Sequence, residues 1–262
     1  MRTAALVLAA LLSTSPAHAE DGGRTNTRRL EHVAAIAIGG AAYLTIQYGL
    51  EPSLKPDTCT WCEPPGFDAS IRNSLVWSDP KRADLLSNLT GYVGAPIFAI
   101  GSLILASGSH DARHWVDDAI PVLEAAVGVS LLHHLAKFSL PRERPAHHFG
   151  ALEVEDKEPN FAFWSGHTSL AFALAVSAGT VAHLRHYRAE PYIWAGGLAL
   201  AASTGYLRIA ADAHYFSDVT IGAIMGSLTG YAVPHLLHRD VFFHERATLA
   251  PTPNGISIVG RF

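Results

Sequence analysis

Three short polar segments stand between long apolar stretches of this chain, each built from side chains suited to acid–base or anion chemistry. The first, Lys137-Phe-Ser-Leu-Pro-Arg-Glu-Arg144-Pro145, holds three cations, Lys137, Arg142 and Arg144, within eight residues. The second, Ser165-Gly166-His167-Thr168, immediately precedes an apolar run. A helix starting there turns its unpaired N–H groups and positive dipole end toward one point, and Gly166 lets an anion approach the backbone. The third is Arg208-Ile-Ala-Ala-Asp-Ala-His214-Tyr-Phe-Ser-Asp218. If that segment is helical, His214 and Asp218 share one face. A carboxylate on one imidazole nitrogen fixes the tautomer and leaves the other free as nucleophile or base.

Each segment also has a plain reading. Ser165 is a good N-cap, Arg208 suits a helix C-terminus, and cations after a helix end are commonly solvated. A His–Asp pair on a helix surface contributes about 0.2–0.5 kcal/mol and nothing more. The combination is more demanding. Lys137, Arg144 and Arg208 with a helix N-terminus match a tetrahedral oxyanion of charge near −2. Two histidines match phosphoryl transfer, one to attack phosphorus and one to protonate the leaving oxygen.

The elements that must position these groups are helices. Of 262 residues, 49% are hydrophobic and only 16% charged, against about 25% in an average soluble domain, which excludes a disordered chain. The net charge of −4 comes with no Lys/Arg-rich run, so nucleic acid is not an expected partner. Mean hydropathy is +0.18, high for a soluble protein. Apolar stretches cover Val33–Leu50, Ser87–Ser109, Ala119–Ala136, Thr168–Ala182, Pro191–Leu207 and Val219–His238. They are rich in Ala, Gly, Leu and Ser, which favours close-packed helices over strands. Ser87–Ser109 is uncharged and long enough for a membrane span of about 20 residues. The expectation is an all-α bundle of about six helices, membrane-embedded, with a short extended C-terminal tail.

Residues 1–19 read as a signal peptide: Arg2, an apolar run Ala4–Leu12, and Ala17-His18-Ala19 as a cleavage site. Residues 20–28 are then an N-terminal tail, 29–240 the helical domain, and 241–262 an extended tail. Within that tail a Pro251-Thr-Pro-Asn-Gly255 turn precedes an alternating segment. Outside the cytoplasm, Cys59 and Cys62 are expected to form a local disulfide. A redox CxxC would want a βαβ context, and two thiolates are too few for structural zinc. The fifteen histidines include His133-His134, His147-His148 and His183/His186, in different segments with few carboxylates nearby, so no metal site is expected.

The ordered motifs Lys-x6-Arg-Pro, Ser-Gly-His and Arg-x5-His-x3-Asp resemble those of the type 2 phosphatidic acid phosphatase (PAP2) superfamily. Its relatives include bacterial class A acid phosphatases and vanadium haloperoxidases. The motifs span Lys137 to Asp218, and the flanking helices extend the likeness over most of the mature chain. Trp164 stands where the family usually has Pro, and Leu207 where it usually has Ser. The resemblance implies His214 as a nucleophile forming a phosphohistidine, oriented by Asp218. It implies His167 as general acid and then base, with Lys137, Arg144, Arg208, Ser165 and Gly166 holding the phosphate.

The implied activity is metal-independent hydrolysis of phosphate monoesters or diphosphates, foremost of lipids such as phosphatidate, prenyl diphosphate or lipid A. No cofactor is implied, except vanadate in the haloperoxidase branch. A soluble periplasmic acid phosphatase, a vanadium-dependent haloperoxidase and a non-catalytic envelope protein are the other readings. The cationic loop His183–Arg188 reads as cytoplasmic, which faces the site to the periplasm from a bacterial inner membrane. A cleaved signal followed by three crossings before Lys137 would put the site on the cytoplasmic side instead. Asp117, Asp118 and Glu124 in the third apolar stretch keep the soluble periplasmic alternative open beside the membrane-embedded one.

Overall fold

The structure, a computed structural model, describes residues 21–108, 112–150, 159–238, 242, 248–252 and 255–259. The expected signal peptide, residues 1–19, lies outside the described residues. Helix α1 (Asp21–Leu44) takes in most of the stretch expected as an N-terminal tail. It continues through a π-helical turn (Thr45–Leu50) into α2 (Glu51–Leu54). Two short helices follow, α3 (Gly66–Leu75) and α4 (Pro80–Asn88), and a second π turn (Leu89–Gly94) leads into α5 (Ala95–Ser107). Then come α6 (Ala112–Ser139), the single turn α7 (Pro145–His148), α8 (Gly166–Leu184), α9 (Glu190–Ala210) and α10 (Phe216–Leu236). Cys59 and Cys62 are joined by a disulfide in the connection between α2 and α3.

Residues past Val241 were expected as a single extended tail. The structure pairs β1 (Thr248–Thr252) antiparallel with β2 (Gly255–Val259), Thr248 opposite Val259. An isolated strand leaves its ladder groups unpaired, and pairing within the tail satisfies them.

Helix α8 is the hub. It is buried along most of its length and packs against α10, α9, α6 and α5. The closest approach is to α10, where Gly222, Gly226 and Gly230 fall on one face at intervals of four. A Cβ on Gly226 would lie 2.2 Å from the Ser169 carbonyl oxygen, and one on Gly230 2.6 Å from that of Ala173. The core between the rods is correspondingly made of small residues: Ala95, Ala99, Ala171, Ala175, Ala178 and Ala201 among them.

Large apolar side chains point outward instead, including Ile38, Ile97, Leu105 and Leu228. A soluble bundle would bury such residues against neighbours, whereas lipid tails cover them. Among the described residues, four segments are long and apolar enough to cross a membrane: Thr27–Leu54, Pro80–Ser107, His114–Ser139 and Gly166–Leu184.

The alternation of helix directions decides where the polar segments meet. The C-terminal ends of α6 and α9 gather with α2, α4 and the N-terminal ends of α8 and α10: Lys137 meets Glu51, Arg208 meets Asp84, and Gly166 and Asp218 open the last two helices beside them. The opposite end is tied by Arg29 to Asp117 and by Arg185 to Asp118.

Adding one methyl group tests the α8–α10 approach. In a helix interior Gly→Ala ordinarily gains about 1 kcal/mol, but overpacking costs about 1–3 kcal/mol. Gly226→Ala, facing fixed backbone, is expected to lower the thermal unfolding midpoint in detergent. Gly101→Ala, with nothing within 4 Å of its added Cβ, leaves that midpoint unchanged or raises it.

Candidate active site

A cavity of about 400 Å³ opens at the end of the bundle where the three polar segments meet. Lys137, Arg144, Gly166, His167, Arg208 and His214 all line it. Lys137 arrives at the last turn of α6, Arg144 just before α7, and Arg208 at the last turn of α9. Gly166 and His167 open α8, whose N-terminal N–H groups therefore face the cavity end of the bundle. Segments seventy-seven residues apart thus share one space, Lys137 with His214.

Ser165 stands behind the lining as the N-cap of α8. Its Oγ accepts from the Thr168 hydroxyl at 2.9 Å and, more weakly, from the Thr168 N–H at 3.5 Å. Gly166 has a steric reason to be glycine: a Cβ there would lie 2.9 Å from Nε2 of His133. The helix start and the His133 ring are in direct contact only because that side chain is missing.

His214 is buried, and its Nδ1–H donates to the Ala162 carbonyl at 2.7 Å. That bond fixes the tautomer and leaves Nε2 with the lone pair. Burial strips water from the imidazolium, and the charges of Arg208 and Arg144 oppose it further. The His214 pKa is therefore held well below its ordinary value of 6.5.

Asp218 does not do what its spacing implied. An i,i+4 pair needs both residues in one helix, but α10 begins at Phe216, after His214. The Asp218 carboxylate instead accepts from the Tyr215 N–H at 2.9 Å, closing the first turn of α10, and from Arg142 Nη1 at 2.5 Å. The backbone carbonyl of Ala162 orients His214 in its place.

The cations are held by acids that no motif announced. Lys137 Nζ donates to Glu51 Oε2 at 2.7 Å, with both side chains buried. Arg208 Nη1 donates to Asp84 and to Ser87 Oγ, the latter at 3.0 Å. Asn88 donates through Nδ2 to Asp84 at 2.9 Å, which turns its Oδ1 to accept from His167 Nε2–H at 2.6 Å. Two signals were legible: Glu51 is the first charge after the uncharged run Val33–Leu50, and Asp84 and Asn88 share a face at i,i+4.

Arg142, two residues before Arg144, is the best-buried cation of the first motif, 1% exposed at its side chain. Its guanidinium lies between the Trp61 and Tyr215 rings, 3.7 and 4.4 Å from their centroids. It donates to Asp68 at 2.8 Å, to Ser217 at 2.7 Å and to Asp218. One side chain therefore joins the disulfide loop, α3 and the start of α10. A second clamp holds the loop before His214: Arg72 Nε donates to Asp212 Oδ1 at 2.7 Å. Asp212 has φ of 57°, a left-handed conformation that Asp tolerates better than most residues.

Removing the Arg142 cation strands two buried carboxylates. Arg142→Leu is expected to lower the unfolding free energy by about 3–5 kcal/mol. Adding Asp68→Asn to that variant recovers part of the loss, measured by denaturant unfolding in micelles.

Comparison with known proteins follows the same residues. Residues 118–242 match the PAP2 superfamily. Over 95 residues the chain is 37% identical to the lipid A 1-phosphatase of Porphyromonas gingivalis, a match covering 35% of this chain and 20% of that protein. The chain thus spans about a fifth of that relative's length. A transmembrane PAP2-type phosphatidylglycerolphosphate phosphatase from Bacillus subtilis superposes with a TM-score of 0.51 at 16% identity, covering 81% of this chain and 96% of that one. That likeness is one of fold. Aquifex aeolicus LpxE aligns at a TM-score of 0.37 and 24% identity, over 57% of this chain and 93% of its own. Lys137, Arg144, Gly166, His167, Arg208 and His214 all lie inside the stretch of the chain that matches the PAP2 superfamily.

Proposed function

We propose that this protein is a phosphatase acting on lipid phosphate esters through a phosphohistidine intermediate, without a catalytic metal. The observation that carries this reading is His214. Its Nδ1 is tied to a carbonyl while the ring lines a cavity shared with Lys137, Arg144 and Arg208.

In the first step His214 Nε2 attacks phosphorus, forming the N–P bond as the P–O bond to the alcohol breaks. His167, on the same cavity wall, delivers a proton to the departing alkoxide oxygen. Water then attacks phosphorus and gives a proton back to His167. The N–P bond breaks, inorganic phosphate leaves, and His214 is restored. Throughout, Lys137, Arg144, Arg208 and the N–H groups opening α8 neutralise the equatorial oxygens. An arriving phosphate competes with Glu51 for Lys137 and with Asp84 for Arg208, so those acids keep the cations in place between turnovers. Asp218 acts through the start of α10, as a positioning residue.

Lipid esters fit the rest of the wall. Tyr43 from the end of α1, Tyr48 from the first π turn, Tyr92 from the second, and Leu170 offer an apolar margin beside the cations. The names of the two relatives, a lipid A 1-phosphatase and a phosphatidylglycerolphosphate phosphatase, point to the same substrate class. Orientation follows from charge at the helix ends. Arg24, Arg28 and Arg29 near the start of α1, with Arg185 and Arg188 between α8 and α9, lie at the end away from the cavity. The short cationic loop between α8 and α9, read by the positive-inside rule, supports a cytoplasmic place for that end and a cavity open to the periplasm.

The test is phosphate release by detergent-solubilised protein from phosphatidate, a prenyl diphosphate and lipid A, beside a water-soluble ester. Lipid turnover exceeding that of the soluble ester supports the reading, and the reverse preference contradicts it. His214→Ala is expected to abolish release with the helical circular dichroism retained. Arg144→Ala is expected to lower kcat about 100–1,000-fold, the effect of losing one oxyanion contact.

The pH profile gives a separate check. Attack needs neutral His214. Burial and the two arginines push its pKa down, so protonation sets in only at lower pH. The acid limb of kcat/KM due to His214 is therefore expected below pH 6.5, and Arg208→Gln moves it upward.

A further inference from the structure

Far from the cavity, three helices bring His32, Glu124 and His238 to one point. His32 comes from α1, Glu124 from α6, and His238 from the turn just past α10. Glu124 stands thirteen residues before Lys137 on α6, roughly 20 Å along the helix axis. Each of its carboxylate oxygens faces one imidazole. Oε1 lies 2.7 Å from His32 Nδ1, and Oε2 lies 2.5 Å from His238 Nε2. The two rings lie 4.2 Å apart between centroids. The side chains of His238 and Glu124 are 2% and 9% exposed, and that of His32 25%.

An ionisable side chain part-way along an apolar helix marks a functional position more often than a packing one. Two imidazoles and one carboxylate are the donors of a three-ligand zinc site, which keeps its fourth position for water. All three ligand atoms lie within 4.8 Å of one another. Zinc bonds of about 2.0–2.2 Å at tetrahedral angles hold such atoms about 3.4 Å apart, so a shift of about 1.5 Å in the half-buried His32 ring closes the set.

We propose that His32, Glu124 and His238 bind a divalent transition-metal ion of the zinc class. On binding, each ring nitrogen gives up the proton it shares with Glu124, to the ring's other nitrogen where the imidazole is neutral and to solvent where it is an imidazolium. Its effect is mechanical. Helix α1 packs chiefly on α6, yet it supplies Tyr43 to the cavity wall and leads into Glu51, the partner of Lys137. The ion clamps α1 to both α6 and α10 and so fixes that wall from the other end.

The experiment uses the full chain in detergent micelles, stripped with a chelator and titrated with zinc by calorimetry. Bound metal is counted by atomic emission, and cobalt(II) serves as a spectroscopic probe. One zinc per chain and the intense visible absorption of four-coordinate cobalt are expected. Glu124→Gln and His238→Gln each weaken zinc binding by more than the roughly 10–100-fold that losing an outer hydrogen-bond partner costs. His183→Gln with His186→Gln, in the loop between α8 and α9, leaves it unchanged. Should the buried variants lose their helical circular dichroism, His32→Gln, at the more exposed ligand, reads the same loss. No zinc uptake at micromolar metal, or equal uptake by Glu124→Gln and His32→Gln, overturns the proposal and leaves a hydrogen-bonded latch.

Discussion

Positive charge crowded into one largely buried cavity is the constraint to which this structure answers. Lys137, Arg144, Arg208 and the N-terminal end of α8 surround one imidazole. Burying a single unpaired cation is costly, and several together repel one another besides. The fold meets this with acids: Glu51 for Lys137 and Asp84 for Arg208 at the cavity, and Asp68 with Asp218 for Arg142 behind it. The same field keeps His214 neutral, so what threatens the fold serves the proposed reaction. A phosphate dianion is the ligand best matched to such a site, since its charge replaces that of the displaced carboxylates.

That arrangement depends on helix direction more than on any single contact. Lys137 and Arg208 come from C-terminal helix ends and Arg144 from the loop leading into α7, while the anion-binding N–H groups come from the N-terminal end of α8. An antiparallel bundle places both kinds of end on one face. Small residues then set how tightly those ends converge. Gly222, Gly226 and Gly230 let α10 rest on the α8 backbone, which keeps the loop before α10, and with it His214, against the start of α8. The outward apolar side chains are the complement of this small-residue core, and a lipid surround is the solvent that suits them.

Much of this was legible in the sequence, and the exceptions have physical reasons. The apolar runs gave the long helices, and the three polar segments gave the cavity lining, because helix ends are where spacing and composition change together. Asp218 was misread because spacing of four was taken as helical, whereas the chain turns at Tyr215 and the helix starts one residue later. Arg142 looked like one more solvated cation, since its stacking between Trp61 and Tyr215 joins segments remote in sequence. Glu51 and Asp84 lie outside every motif, and their pairing with Lys137 and Arg208 is purely tertiary. Glu124 registered only as an interruption of an apolar stretch, because its two imidazoles arrive from opposite ends of the chain.

The covalent step is the part of the account most directly open to observation. Protein mixed with substrate carrying labelled phosphate, quenched in alkali within the first turnovers and digested, shows where phosphorus goes. An acid-labile, base-stable phosphoryl group is expected on His214, appearing before free phosphate and decaying as phosphate is released. Turnover at full rate with no label on His214, or with label on another side chain, would contradict the covalent step.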